Sequence, residues 1–180
     1  DGRTAIGSFH PLASLDGKHA IPRGTLIAWD AHGGALGRWL ASLARRIGGV
    51  PARVRDDVRA LYHAGAVVAG NLPVALLHEG IGLLVDAGVP EQTARVALAR
   101  LLRSQADNAE RHALGVALTG PVARGDADTL ARHLARLDER DRRVATLYRE
   151  LSRILVDDVA MPAKPIAARL RRALVLPRRP

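Results

Sequence analysis

The spacing of apolar residues changes character near Asp56. Before it, apolar positions come in short runs. "TAIGSFHPLASL" begins as a strand-like run and passes through His10-Pro11 into a loop. "GTLIAWDA", Gly24 to Ala31, is a short apolar run bounded by Gly and Asp, the pattern of a buried strand. Leu36, Leu40, Leu43 and Ile47 then recur at helical spacing, and Gly48-Gly49 supplies a stop. "VPARVR" reads as one more short strand. Strand, helix and strand over about thirty residues is the size of a βαβ unit.

After Asp56 the period is helical. Asp56-Asp57 places negative charge at a helix start, and apolar positions continue to Gly88. Pro73 removes an intrahelical donor and predicts a bend near Asn71-Leu72. Pro90 opens the next helix, expected to run to Leu118. Further helices are expected over Asp126 to Leu137, Arg140 to Val159 and Pro165 to Leu174. The predicted fold is mainly α, a helical bundle preceded by a short α/β segment, with a division into residues 1–55 and 56–180.

Composition narrows the possibilities. Hydrophobic content is 48% and aromatic content only 3%, so the core is built from Leu, Val, Ile and Ala, a diet that suits helices. The net charge is +9, carried almost wholly by arginine, since Lys18 and Lys164 are the only lysines. Such a charge attracts anions, although arginine-rich usage across a whole chain also arises without a function. Nucleic acid is not an expected partner, because no aromatic stacking platform or known motif accompanies the charge. The absence of cysteine excludes disulfides and thiolate chemistry. No apolar run is read as approaching the roughly 18 residues of a membrane span, and no signal peptide is expected. A cytoplasmic protein without a membrane partner is expected.

Several groups of residues carry candidate chemistry. In "LYHAGAVVAGN", His63, Val67 and Asn71 fall at i, i+4 and i+8 along one side of a helix. They line either a cleft or a core that satisfies the histidine internally. His78-Glu79 lacks the second histidine of a zinc helix, since position 82 is Gly, and no metal is expected. Arg124-Gly125-Asp126 reads best as a turn whose aspartate caps the following helix. The tail "IAARLRRALVLPRRP" is basic and amphipathic, as expected of a helix packed on its own bundle. Neither Gly33-Gly34 nor Gly48-Gly49 makes a dinucleotide fingerprint.

Three segments in order, "GSFHPLASL", "LYHAGAVVAGN" and "ALTGPVARGDADTLARHL", resemble a family of bacterial Rossmann-type oxidoreductases. Its members join an NADP-binding domain to a C-terminal domain of unknown function. That second domain is similar to the all-α domain of 6-phosphogluconate dehydrogenase and pyrroline-5-carboxylate reductase. The resemblance implies that residues 1–55 are the last elements of a Rossmann-like domain and 56–180 the helical dimerisation and substrate domain. It implies an NADP (or NAD) cofactor bound mainly upstream, a small and anionic substrate, and a homodimer. Asn71 matches the superfamily asparagine that orients the substrate, whereas Val67 stands where the family carries a lysine. His63, one turn earlier, would then serve as acid and base, since imidazole ordinarily titrates near neutral pH. His10 belongs to the family's His-Pro turn near the cleft. Asn108, Thr119 and Arg124 would reach toward the cleft or the dimer partner, with Arg124 either holding an anionic group or bracing its turn. A non-catalytic helical dimerisation or binding module is the alternative.

Overall fold

A computed structural model describes residues 4–14, 18 and 20–175. His19 and the end of the basic tail, residues 176–180, lie outside the described residues. The chain divides into two compact units, residues 1–76 and 77–180, with the division inside a helix.

The first unit holds a three-stranded sheet of order β1-β2-β3, formed by Gly7–Pro11, Leu26–Ala31 and Val50–Arg53. The expected strand-helix-strand unit is present. β2 and β3 are parallel, with Leu26 opposite Val50 and Trp29 opposite Arg53, and helix α1 (Gly34–Arg46) makes the crossover. β1 adds an antiparallel edge in which Ser8 faces Asp30 and His10 faces Ala28. Burial of Ile27, Leu40 and Ala44 fastens α1 to the sheet. Gly37 permits the close approach: a Cβ there would lie 2.8 Å from Cζ3 of Trp29. Because side chains alternate along a strand, Ala28 and Asp30 point to the other face, as do their partners His10 and Ser8.

Asp30 steers the chain into its next element. Its carboxylate accepts from Arg53 Nε (3.1 Å) and from the backbone N–H of Asp56 (3.1 Å), at the start of a 3-10 turn over Asp56–Val58. The hydrogen bond from Arg53, ahead of all other causes, holds the Asp30 carboxyl below its usual range. Helix α2 (Arg59–Gly70) follows, and α3 (Leu72–Asp86) continues it after a break at Asn71. The break falls where Pro73 predicts a bend.

In the second unit, α4 (Glu91–Arg111) ends earlier than expected. His112 turns extended, at φ −135° and ψ 156°, and a separate short helix α5 (Leu114–Ala117) follows. Tertiary contact explains α5, since a Cβ on Gly115 would stand 2.8 Å from the carbonyl oxygen of Val159. α6 (Ala127–Arg140) and α7 (Arg142–Ile154) form a hairpin capped at its corner by Asp141. A π-helical segment (Leu155–Ala160) and α8 (Lys164–Ala173) complete the unit. Leu130, Leu134, Val156, Leu170 and Leu174 form its core, extended by Leu137, Val144 and Ala145 against Leu83 of α3. α8 buries Ala167 and Leu170 there, so the described part of the basic tail packs on its own bundle as expected.

α2 and α3 bury no residue completely. Among the described residues, only the stretch Asp56–Asp86 is long and apolar enough to cross a membrane, judged by length and composition. Unbroken-run reading missed it because His63, Asn71, Pro73 and His78 interrupt the pattern.

Candidate functional site

On the face of the sheet opposite α1, a cavity of about 280 Å³ opens between β1, β2 and the first turns of α2. β1 contributes Ser8 and His10, two positions apart and therefore on one face. α2 contributes Arg59, Tyr62 and His63, at i, i+3 and i+4, and so on one side of the helix. Phe9, Ala28, Trp29 and Val54 complete its lining. The two histidines expected at a cleft, fifty-three residues apart by their numbers, thus line one cavity.

The polar groups are positioned by one another. His10 Nδ1 lies 3.5 Å from the Tyr62 hydroxyl, with the rings edge to face at 6.0 Å between centroids. Arg59 donates to Ser8 Oγ (3.2 Å) and pairs with Asp56 Oδ1 (2.9 Å). The bond to Ser8 joins α2 to β1 and leaves a guanidinium at the rim. Burial raises the pKa of Tyr62 above its usual 10.0, so near neutral pH its hydroxyl is a proton donor. The arrangement can bind a small group with an apolar body, hydrogen-bond it from two imidazoles and a phenol, and meet a negative charge with Arg59.

Other expected site residues lie elsewhere. Asn71 caps the C-terminus of α2, two turns and about 12 Å beyond His63 along the axis, and does not line the cavity. Asn108, Thr119 and Arg124 belong to the second unit. Thr119 Oγ1 accepts from Gln105 Nε2 (2.9 Å), which ties its loop to α4. Asn108 lies near the end of α4, where its carbonyl accepts from the N–H of His112. Arg124 is exposed in a turn whose backbone closes through Asp126 N–H to the Pro121 carbonyl (2.9 Å). Asp126 caps α6, as its place in the sequence predicts, accepting from Thr129 N–H (3.0 Å) and Thr129 Oγ1 (2.7 Å). Ser8, Arg59 and Tyr62 were not expected at the site. Arg59 and Tyr62 stand four and one positions before His63, so its own helical stripe would have found them. Among the described residues no group of three or more His, Asp or Glu side chains is arranged to hold a metal.

The profile of one protein family, "Domain of unknown function (DUF2520)", matches residues 26–154. The chain belongs to the DUF2520 family. Two crystal structures resemble it. Protein TM1727 from Thermotoga maritima is 25% identical with a TM-score of 0.76, over 86% of this chain and 61% of that one. The "putative NADP oxidoreductase BF3122" from Bacteroides fragilis is 20% identical with a TM-score of 0.67, over 87% of this chain and 59% of that one. This DUF2520 chain therefore spans about three fifths of the length of each. No curated protein sequence matches it.

Proposed function

We propose that this chain is the C-terminal part of an NADP-dependent oxidoreductase that acts on a small anionic substrate. The observation that carries the reading is the cavity itself, in which His10, Tyr62 and His63 converge beside Arg59. The name of the similar Bacteroides protein supports the same class of reaction. The family resemblance adds the superfamily of 6-phosphogluconate dehydrogenase and the division after residue 55.

The dinucleotide does not fit the cavity that His10 and His63 line. The sequence has no glycine fingerprint, and a cavity of about 280 Å³ falls below the ~300–1,000 Å³ of pockets for drug-sized ligands. NADP would be held mainly by residues outside this chain. The roles of the residues present follow from chemistry. His63 holds or accepts a proton at the substrate, Tyr62 donates a hydrogen bond, and His10 orients Tyr62. Arg59 receives the substrate's anionic group. The resemblance also implies substrate-side roles for Asn71, Asn108, Thr119 and Arg124, none of which lines this cavity, and a homodimer in the cytoplasm.

The test uses the whole protein that carries this chain, supplied with NADPH and a panel of small oxo and imino acids. Replacing His63 by Ala should lower kcat by about 10²–10⁴-fold, the usual contribution of a positioned acid or base, with the melting temperature unchanged. If no panel member is turned over and His63→Ala alters only self-association, the non-catalytic dimerisation module takes its place.

A further inference from the structure

The α1 side of the sheet carries a second cavity, of about 640 Å³. Its floor is the indole of Trp29 with Gly37 and Ala41, and its rim is three arginines, Arg38, Arg45 and Arg53. Arg38 and Arg45 are seven residues apart on α1, hence on one stripe and about 10 Å apart along the axis. Arg53 approaches from β3, its guanidinium carbon 5.9 Å from the Trp29 ring centroid.

Charge is not balanced there. Arg53 is held by Asp30. Arg38 and Arg45 have no carboxylate partner among the described residues. Arg38 folds back along its own helix, with Nη1 3.2 Å from where a Cβ on Gly34 would stand. No acidic residue occupies that first turn to offset it. Guanidinium groups converging on one groove without carboxylates select an anion and can grip it bidentately. The indole and the small residues beneath them select a flat apolar body.

We propose that this groove is a second ligand site, for a small organic anion with two or more negative charges on a flat apolar body. It shares Trp29 with the His10–His63 cavity but opens beside α1 and needs none of that cavity's polar groups.

Calorimetric titration of the whole protein that carries this chain with naphthalene-2,6-disulfonate tests it. Saturable binding of one molecule per chain is expected. It should be about tenfold weaker in the double variant Arg38→Gln, Arg45→Gln, the scale of losing two charge-assisted contacts at an exposed site. Both arginines are exposed, so the fold tolerates the change. Ala41→Leu, which fills the floor and keeps every charge, should weaken binding too. Arg59→Gln, in the other cavity, should leave it unchanged. No saturable binding would overturn the proposal, as would equal binding by the double variant or loss in Arg59→Gln. Inorganic pyrophosphate binding as tightly as the disulfonate would also overturn it, because the apolar floor would then play no part.

Discussion

Asp126 shows how one side chain can look like a signal and act as a cap. Within Arg-Gly-Asp its carboxylate is turned inward to Thr129, accepting from both the hydroxyl and the backbone N–H. These two bonds, the hydroxyl first, hold its pKa below the usual 3.8. A group with a depressed folded pKa contributes stability that is fully present above the unfolded value and is lost as pH falls through the folded one. Asp126→Ala should therefore lower the melting temperature by a few degrees near neutral pH. The difference from wild type should shrink as pH falls below about 4. Asp126→Asn keeps the cap, and its difference from wild type should be small at neutral pH; thermal melts across that range decide both. This role was legible in the sequence because capping is local. The meeting of His10 and His63 was legible only through resemblance, since no spacing rule links a strand to a helix fifty residues later. Arg59 and Tyr62 share a simple register with His63, but an arginine and a tyrosine near a helix start carry no chemical signature of their own in sequence.

At the scale of elements, the short apolar runs marked β2 and β3 and the glycine stop marked the end of α1, since each is a local choice. The antiparallel edge of β1 was hidden, because pairing direction depends on partners distant in the chain. The end of α4 and the π-helical segment were hidden as well, being set by packing such as that of Gly115 on Val159. The α6–α7 hairpin illustrates a bond that period reading cannot see. Arg149 of α7 is 3% exposed, its guanidinium bonded to Asp138 of α6 and its Nε without a partner. His133 and Tyr148 join the same helices at 2.9 Å, and burial, with Ser152 partly opposing it, raises the Tyr148 pKa. Removing Asp138 leaves a buried guanidinium uncompensated, whereas Arg149→Met removes the charge and fills similar volume. Asp138→Ala should cost about 3 kcal/mol and Arg149→Met less than about 1 kcal/mol. Urea unfolding should give that order; equal losses would mean that the pair acts only through packing.

For the whole molecule, the surface of α2 and the start of α3 leaves apolar area without a cover. Leu61, Val68, Leu72, Val74 and Leu76 on α2 and the start of α3 are all exposed, Leu61 at 77% and Val74 at 65%. Five such side chains, at roughly 100 Å² each, amount to on the order of 500 Å², more than half of what one partner of a stable dimer buries. Isolated exposed apolar residues are ordinary, but this concentration on helices with so few buried positions calls for a cover. We propose a second copy of the chain as that cover. A symmetric contact uses each residue twice, so Val68→Glu with Val74→Glu removes four apolar groups from the interface. At ~1.5 kcal/mol or more for each valine, about 6 kcal/mol in all, the dimer should weaken by roughly four orders of magnitude. Sedimentation equilibrium should then find wild type as a dimer and the double variant as a monomer that still unfolds cooperatively. Lipid vesicles distinguish the other cover, because the apolar stretch Asp56–Asp86 passes a membrane test by length and composition. A wild-type monomer that floats with vesicles, and loses flotation in the double variant, would assign these helices to a bilayer instead. Asn71 and Pro73 argue for protein, since a kinked helix with an amide at its midpoint needs partners that lipid tails do not supply.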